Sequence, residues 1–177
     1  MEESIIPETS EKTNDRAAAA IEKLQADAVK QDCDTENFRT EVSRTFNCKR
    51  VDLKTYSPLT LAYIGDGVYD LIIRTVVVER SNRPANKLHH ETVKFVSAVA
   101  QSKFIDSVEN ELSPEEEAVY HRGRNATSYT SAKNASIVEY RKASGLEALF
   151  GYLYLADRMD RVLELTHMMI DRCGMKL

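Results

Sequence analysis

Residues 57–70, SPLTLAYIGDGVYD, constrain this chain more than any other stretch. Ser57 can cap a helix, and Pro58 suits the first turn, where a missing N–H costs nothing. Leu61, Ile64, Val68 and Tyr69, continued by Ile72, Ile73 and Val76, recur at helical spacing. Asp66 lies inside that apolar run and Asp70 follows four residues later. A carboxylate in apolar surroundings needs a partner, a metal or a proton. Acids four apart share a helix face, so this pair is a candidate metal site. The same spacing is common on solvated helix faces, so spacing alone leaves both readings open.

The rest of the chain is expected to be helical too. Residues 85–110 repeat apolar positions at Leu88, Val93, Val96, Val99, Phe104, Ile105 and Val108, with an interruption near Ser97. Ser113-Pro114-Glu115-Glu116 is a helix start with a capping box, and that helix ends by Gly123. Residues 122–134, RGRNATSYTSAKN, are polar and basic and read as a loop or fragmentary helix. Helix resumes from about Ala135 to Tyr154, and Glu147 sits in that apolar run much as Asp66 sits in its own. A last helix spans about Asp157–Cys173, stopped by Gly174. Without alternating strands, the fold class is all-α. Residues 51–177 form the compact domain. Residues 1–50 are expected to be an extension, disordered at first, with a helix over 16–30 whose thin stripe is Ala19, Ile21, Leu24 and Ala28.

Charge limits the partners. The net charge is −4 and the pI near 5.6, which argues globally against nucleic acid. The distribution reverses this locally: residues 121–142 hold Arg122, Arg124, Lys133, Arg141 and Lys142 against Glu139 alone. Three cysteines without a C-x-x-C pair argue for a reducing compartment and against a zinc site. No apolar run approaches the roughly 18 residues of a membrane span, and the start, MEESIIPETSEK, does not read as a secretory signal, so a cytoplasmic protein is expected.

Three blocks occur in order: LAYIGDGVYD (61–70), RPANKLHHETVKFVSAVAQSKFI (83–105) and HRGRNATSYTSAKNASIVEYRKASGLEALFGYLYL (121–155). Together they resemble Mini-ribonuclease III, the short bacterial form of the ribonuclease III domain that lacks a double-stranded RNA-binding domain. The resemblance covers about residues 51–173. It implies an all-α homodimeric endonuclease that cuts both strands of an RNA duplex with magnesium, for which manganese may substitute, leaving 5′-phosphate ends. The implied task is maturation of 23S ribosomal RNA precursor. Asp66 falls on the family's catalytic Asp in G-D-x-V, and Glu147 on its catalytic Glu in E-A-L-x-G. Both are then the implied metal ligands, with Asp70 a possible outer-shell residue. Larger ribonucleases III carry further acids where this chain has Leu59, Ala62 and Ser144. Family members often have Ala and Glu where Gly67 and Asp70 stand.

Duplex RNA is read largely by shape, through phosphates and 2′-hydroxyls. Arg122, Arg124, Asn125, Lys133 and Asn134 suit such contacts. An acidic chain without an added RNA-binding domain should bind naked RNA weakly, so a ribosomal protein is a possible partner. His89 and His90 are expected to pack or touch RNA, and Tyr63, Tyr69, Tyr140, Tyr152 and Tyr154 to be core. The alternative reading is a non-catalytic RNA-binding assembly factor with the same fold. A third is a helical adaptor that uses residues 16–31.

Overall fold

The computed structural model describes residues 38–127 and 135–177. The described residues are helical and contain no strand. Seven α-helices follow in order: α1 (Phe38–Thr45), α2 (Pro58–Arg80), α3 (Ala85–Val96), α4 (Ala98–Val108), α5 (Pro114–Arg124), α6 (Ile137–Leu155) and α7 (Met159–Arg172). Short 3-10 turns, Leu53–Thr55 and Glu109–Glu111, precede α2 and α5.

The starts are set by local chemistry. The Ser57 hydroxyl accepts the Thr60 N–H at 3.1 Å, with Pro58 in the first turn of α2. Ser113 and Glu116 form the expected capping box of α5. Ser136 and Glu139 form a second one at α6, which the sequence reading had not singled out. The interruption near Ser97 is real: its extended backbone ends α3, and its hydroxyl caps α4. Tyr69 spans this elbow from α2 by donating its hydroxyl to the Phe95 carbonyl at 3.2 Å.

Helix α6 is the centre. It packs on α2, α5 and α4, and reaches α7. Leu146, Leu149, Phe150 and Leu153 of α6 meet Tyr69, Ile72, Ile73, Phe104 and Ile105 in one core. The α2–α6 crossing is close because glycine faces backbone on both sides. A Cβ on Gly65 would lie 1.8 Å from the Glu147 carbonyl oxygen, and one on Gly151 would lie 2.0 Å from that of Leu61.

Glu116 is buried yet ionised. Arg161 and Arg158 of the α7 end reach its carboxylate at 3.0 and 3.1 Å, and the Ser113 N–H at 3.0 Å. Burial pushes this carboxyl up, but the Arg161 and Ser113 hydrogen bonds and the two positive charges hold it below the ordinary range. The pair ties α5 to α7.

Three expectations change. Tyr63 is not core: it is 84% exposed on α2. Val93 is exposed as well, because α3 turns that position away from α2. Helix α1 lies before residue 51 and is nevertheless tied to the body, with the Arg39 guanidinium on the Asp157 carboxylate between α6 and α7. The expected helix over 16–30 lies outside the described residues.

Gly65→Ala should lower stability by about 3 kcal/mol or more, because overpacking against backbone cannot relax through a rotamer change. Urea unfolding of the two proteins measures this. A near-neutral Ala variant would contradict the crossing.

Candidate active site

The crossing positions the acids. Because Gly65 lies against the backbone of Glu147, its neighbour Asp66 is brought beside the turn of α6 that carries Glu147. Asp66 sits on the exposed rim and Glu147 is half-buried. Their electrostatics confirm the proximity. Burial, and then the negative charge of Asp66, pushes the Glu147 carboxyl up to about 7, while a hydrogen bond from Gln101 draws it back. Asp66 is itself raised, first by partial burial and then by the charge of Asp70. Negative charge gathered on one face in this way, with Asp66 raising Glu147 and Asp70 raising Asp66, is relieved by a cation.

Asp70 stands one turn along α2, where its carboxylate receives the Arg74 guanidinium of the same helix. It therefore adds negative charge to the site while holding a partner of its own. Among the described residues, no three His, Cys, Asp or Glu side chains gather as a metal cluster. A cation at this place would be offered the Asp66–Glu147 pair. That suits magnesium, which keeps several waters and takes one or two carboxylates.

Gln101 is the residue that sequence reasoning missed. It is 1% exposed in α4 and donates Nε2–H to the Val96 carbonyl at 3.1 Å. Its Oε1 is buried with no hydrogen-bond partner among the described residues. The available signal was an amide in the stripe of Phe104, Ile105 and Val108, a position that packing alone would fill with an apolar side chain.

The basic candidates are arranged differently. Gly123 sits against Gly145 and Ala148 of α6, so the last turn of α5 lies along the helix that bears Glu147. Arg122 is exposed there, Arg124 half-buried, and Asn125 ends the helix with its N–H on the His121 carbonyl at 3.0 Å. Arg122 faces a shallow hollow with Lys54, Glu115 and Tyr152. Neither arginine is among the groups that shift Asp66 or Glu147. Lys142 is held by Asp106 at 2.6 Å. Lys133 and Asn134 lie outside the described residues. His89 and His90 are exposed on α3.

Known proteins share this architecture. The ribonuclease III domain family matches residues 59–158. A Mini-ribonuclease 3 of Clostridium tetani is 49% identical over 121 residues, which is 68% of this chain and 80% of that protein. One from Enterococcus faecalis is 41% identical over 125 residues, 70% of this chain and 95% of its own. A crystal structure of a Fusobacterium nucleatum protein superposes with a TM-score of 0.62 at 25% identity, covering 69% of this chain and 98% of that one. The matched domain contains Asp66, Gln101 and Glu147, whereas α1 precedes it.

The raised Glu147 carboxyl has a pH consequence. Between the unfolded value, about 4.3, and about 7, the folded chain keeps a proton that the unfolded chain has lost. Metal-free stability should therefore fall as pH rises across that window. Glu147→Gln should remove roughly 2–3 kcal/mol of this loss between pH 4 and pH 8. Urea unfolding in EDTA at both pH values checks it, and equal losses in the two proteins would contradict the assignment.

Proposed function

This chain belongs to the Mini-ribonuclease 3 family of ribonuclease III-domain endoribonucleases, and we propose that it cuts double-stranded RNA in a magnesium-dependent reaction and matures the ends of 23S ribosomal RNA precursor. The observation that carries this reading is the Asp66–Glu147 pair, two carboxylates brought together by crossing helices, with the charge of Asp66 raising the proton affinity of Glu147.

Asp66 and Glu147 would hold the cation. When bound, magnesium supplies Lewis acidity toward the phosphodiester and activation of water. The chain's own residues set the rest. The α2–α6 crossing fixes the two carboxylates in register before substrate arrives. Arg122 and Arg124 offer forked bonds to phosphate, and Asn125, Lys133 and Asn134 offer further contacts across a minor groove. Asp70, held by Arg74, contributes negative charge and a place for an outer water.

A homodimer fits the exposed face of α2. Tyr63, Gly67 and Leu71 share one side of the helix, with Tyr63 84% and Leu71 58% exposed. Beside them runs a groove of about 320 Å³ lined by Ile64, Val68, Tyr154 and Met159. A second copy covering this stripe would bury the aromatic ring and set two acid pairs toward the two strands of one duplex.

Two measurements test the reading. Wild-type protein should cleave duplex RNA with magnesium or manganese, and Asp66→Asn should lose more than about 100-fold, since even outer-shell changes at metal sites cost ~10–100-fold. Duplex binding without cleavage by the wild type, on naked and ribosome-associated precursor alike, would favour the assembly-factor reading instead. In sedimentation, Tyr63→Asp should shift a dimer toward monomer, and a wild type already monomeric at tens of micromolar would remove the second copy from the proposal.

A further inference from the structure

Gln101 occupies a core position where a polar side chain is costly. Its α4 neighbours Phe104, Ile105 and Val108 are fully buried, and it is itself 1% exposed. One Nε2 proton goes to the Val96 carbonyl, the last residue of α3. The same side chain lies close enough to Glu147, across the α4–α6 contact, to lower the proton affinity of that carboxyl. Its carbonyl oxygen is buried and has no hydrogen-bond partner among the described residues. A buried acceptor left unpaired destabilises a fold, and Leu or Met would fill this space without that cost. The amide thus connects three things: the α3–α4 elbow, the Glu147 carboxylate, and an acceptor awaiting a donor.

We propose that Gln101 is a positioning residue of the active site: its amide N–H groups hold the Glu147 carboxylate against the elbow between α3 and α4, and its unpaired Oε1 accepts a hydrogen bond from a water that hydrates the divalent cation. The proposal rests on the metal-dependent reading above. Metal-ligating carboxylates need such outer hydrogen bonds to hold their orientation. The need is greater in a pair than in a cluster, because each carboxylate contributes a larger share of the hold. Gln101 also links cleavage to α3: a movement of that helix at Ser97 reaches Glu147 through one side chain.

The test uses full-length Gln101→Leu and Gln101→Met, both close in volume to glutamine and lacking its amide. Manganese binding without RNA is measured by electron paramagnetic resonance, duplex cleavage at saturating metal gives kcat and KM, and thermal melting reports the fold. We expect melting temperatures within a few degrees of wild type, manganese affinity about tenfold weaker, and kcat lowered ~10–100-fold with KM for duplex nearly unchanged. A folded Leu or Met variant with wild-type manganese affinity and kcat overturns the proposal, as does a change confined to KM. Failure of both variants to fold makes Gln101 a packing residue and also overturns it. A wild type that binds manganese through Asp66 but cuts no duplex defeats the endonuclease reading separately, and the manganese comparison still decides Gln101.

Discussion

The backbone-to-backbone crossing of α2 and α6 is the constraint on which the rest of the structure depends. Gly65 and Gly151 are each pressed on a carbonyl of the opposite helix, at distances no Cβ could occupy. Helices ordinarily pack at 8–10 Å because side chains hold them apart. Removing the side chain at both contact points lets the axes approach, so the residues next to the glycines inherit that proximity. Asp66 and Glu147 are such residues. The glycine before Asp66 therefore acts through packing: it sets how near one carboxylate comes to the other, and hence how strongly a cation would be favoured at the pair.

Two glutamates, one buried and one half-buried, show how one fold gives the same side chain opposite fates. Glu116 loses as much exposure as any side chain in the protein, yet two arginines and a backbone N–H keep it ionised below the ordinary carboxylate range. Glu147 has an acid for a neighbour and one amide for support, and its carboxyl rises to about 7. Glu116 is electrically complete and serves as a rivet between α5 and α7. Glu147 has no positive charge among the described groups that shift it, and a carboxyl raised in this way marks a candidate functional site.

The helices were legible because their ends carry side-chain signals: Ser57 with Pro58, the break at Ser97, and the Ser113–Glu116 box all recur as structure. Asp66 and Glu147 were legible as acids inside apolar runs, and the family blocks fixed their pairing. What escaped reading depends on contacts distant in sequence. Tyr63 fits the helical stripe by composition, but a stripe does not say which of its flanks another helix covers, and here no described helix covers Tyr63. Helix α1 has a weak apolar pattern because its hold on the body is an ion pair from Arg39 to a residue 118 positions away. Gln101 was hidden for the same reason: its significance lies in which carboxylate it meets.

The positions where larger ribonucleases III carry further acids show what this smaller acid set entails. Ala62 is 7% and Ser144 8% exposed. Ala62 packs with Leu61, Val119 and Ala148 in a small apolar cluster. A carboxylate at either position would be buried beside two acids whose proton affinities are already raised, and would raise them further. Small uncharged residues there keep the empty site tolerable to the fold, at the cost of fewer ligands. Two carboxylates hold a hard cation only loosely, because magnesium gives up its waters reluctantly. In the proposed reaction the deficit falls to hydrogen bonds around the pair, Gln101 first among them, and to the phosphate of the RNA itself. A phosphate oxygen that completes the cation's shell makes each ligand raise the affinity of the other, by an equal factor in both directions. In that reaction the smaller acid set would move part of the metal hold from the protein to the substrate, and the site would become charge-balanced only with a duplex bound.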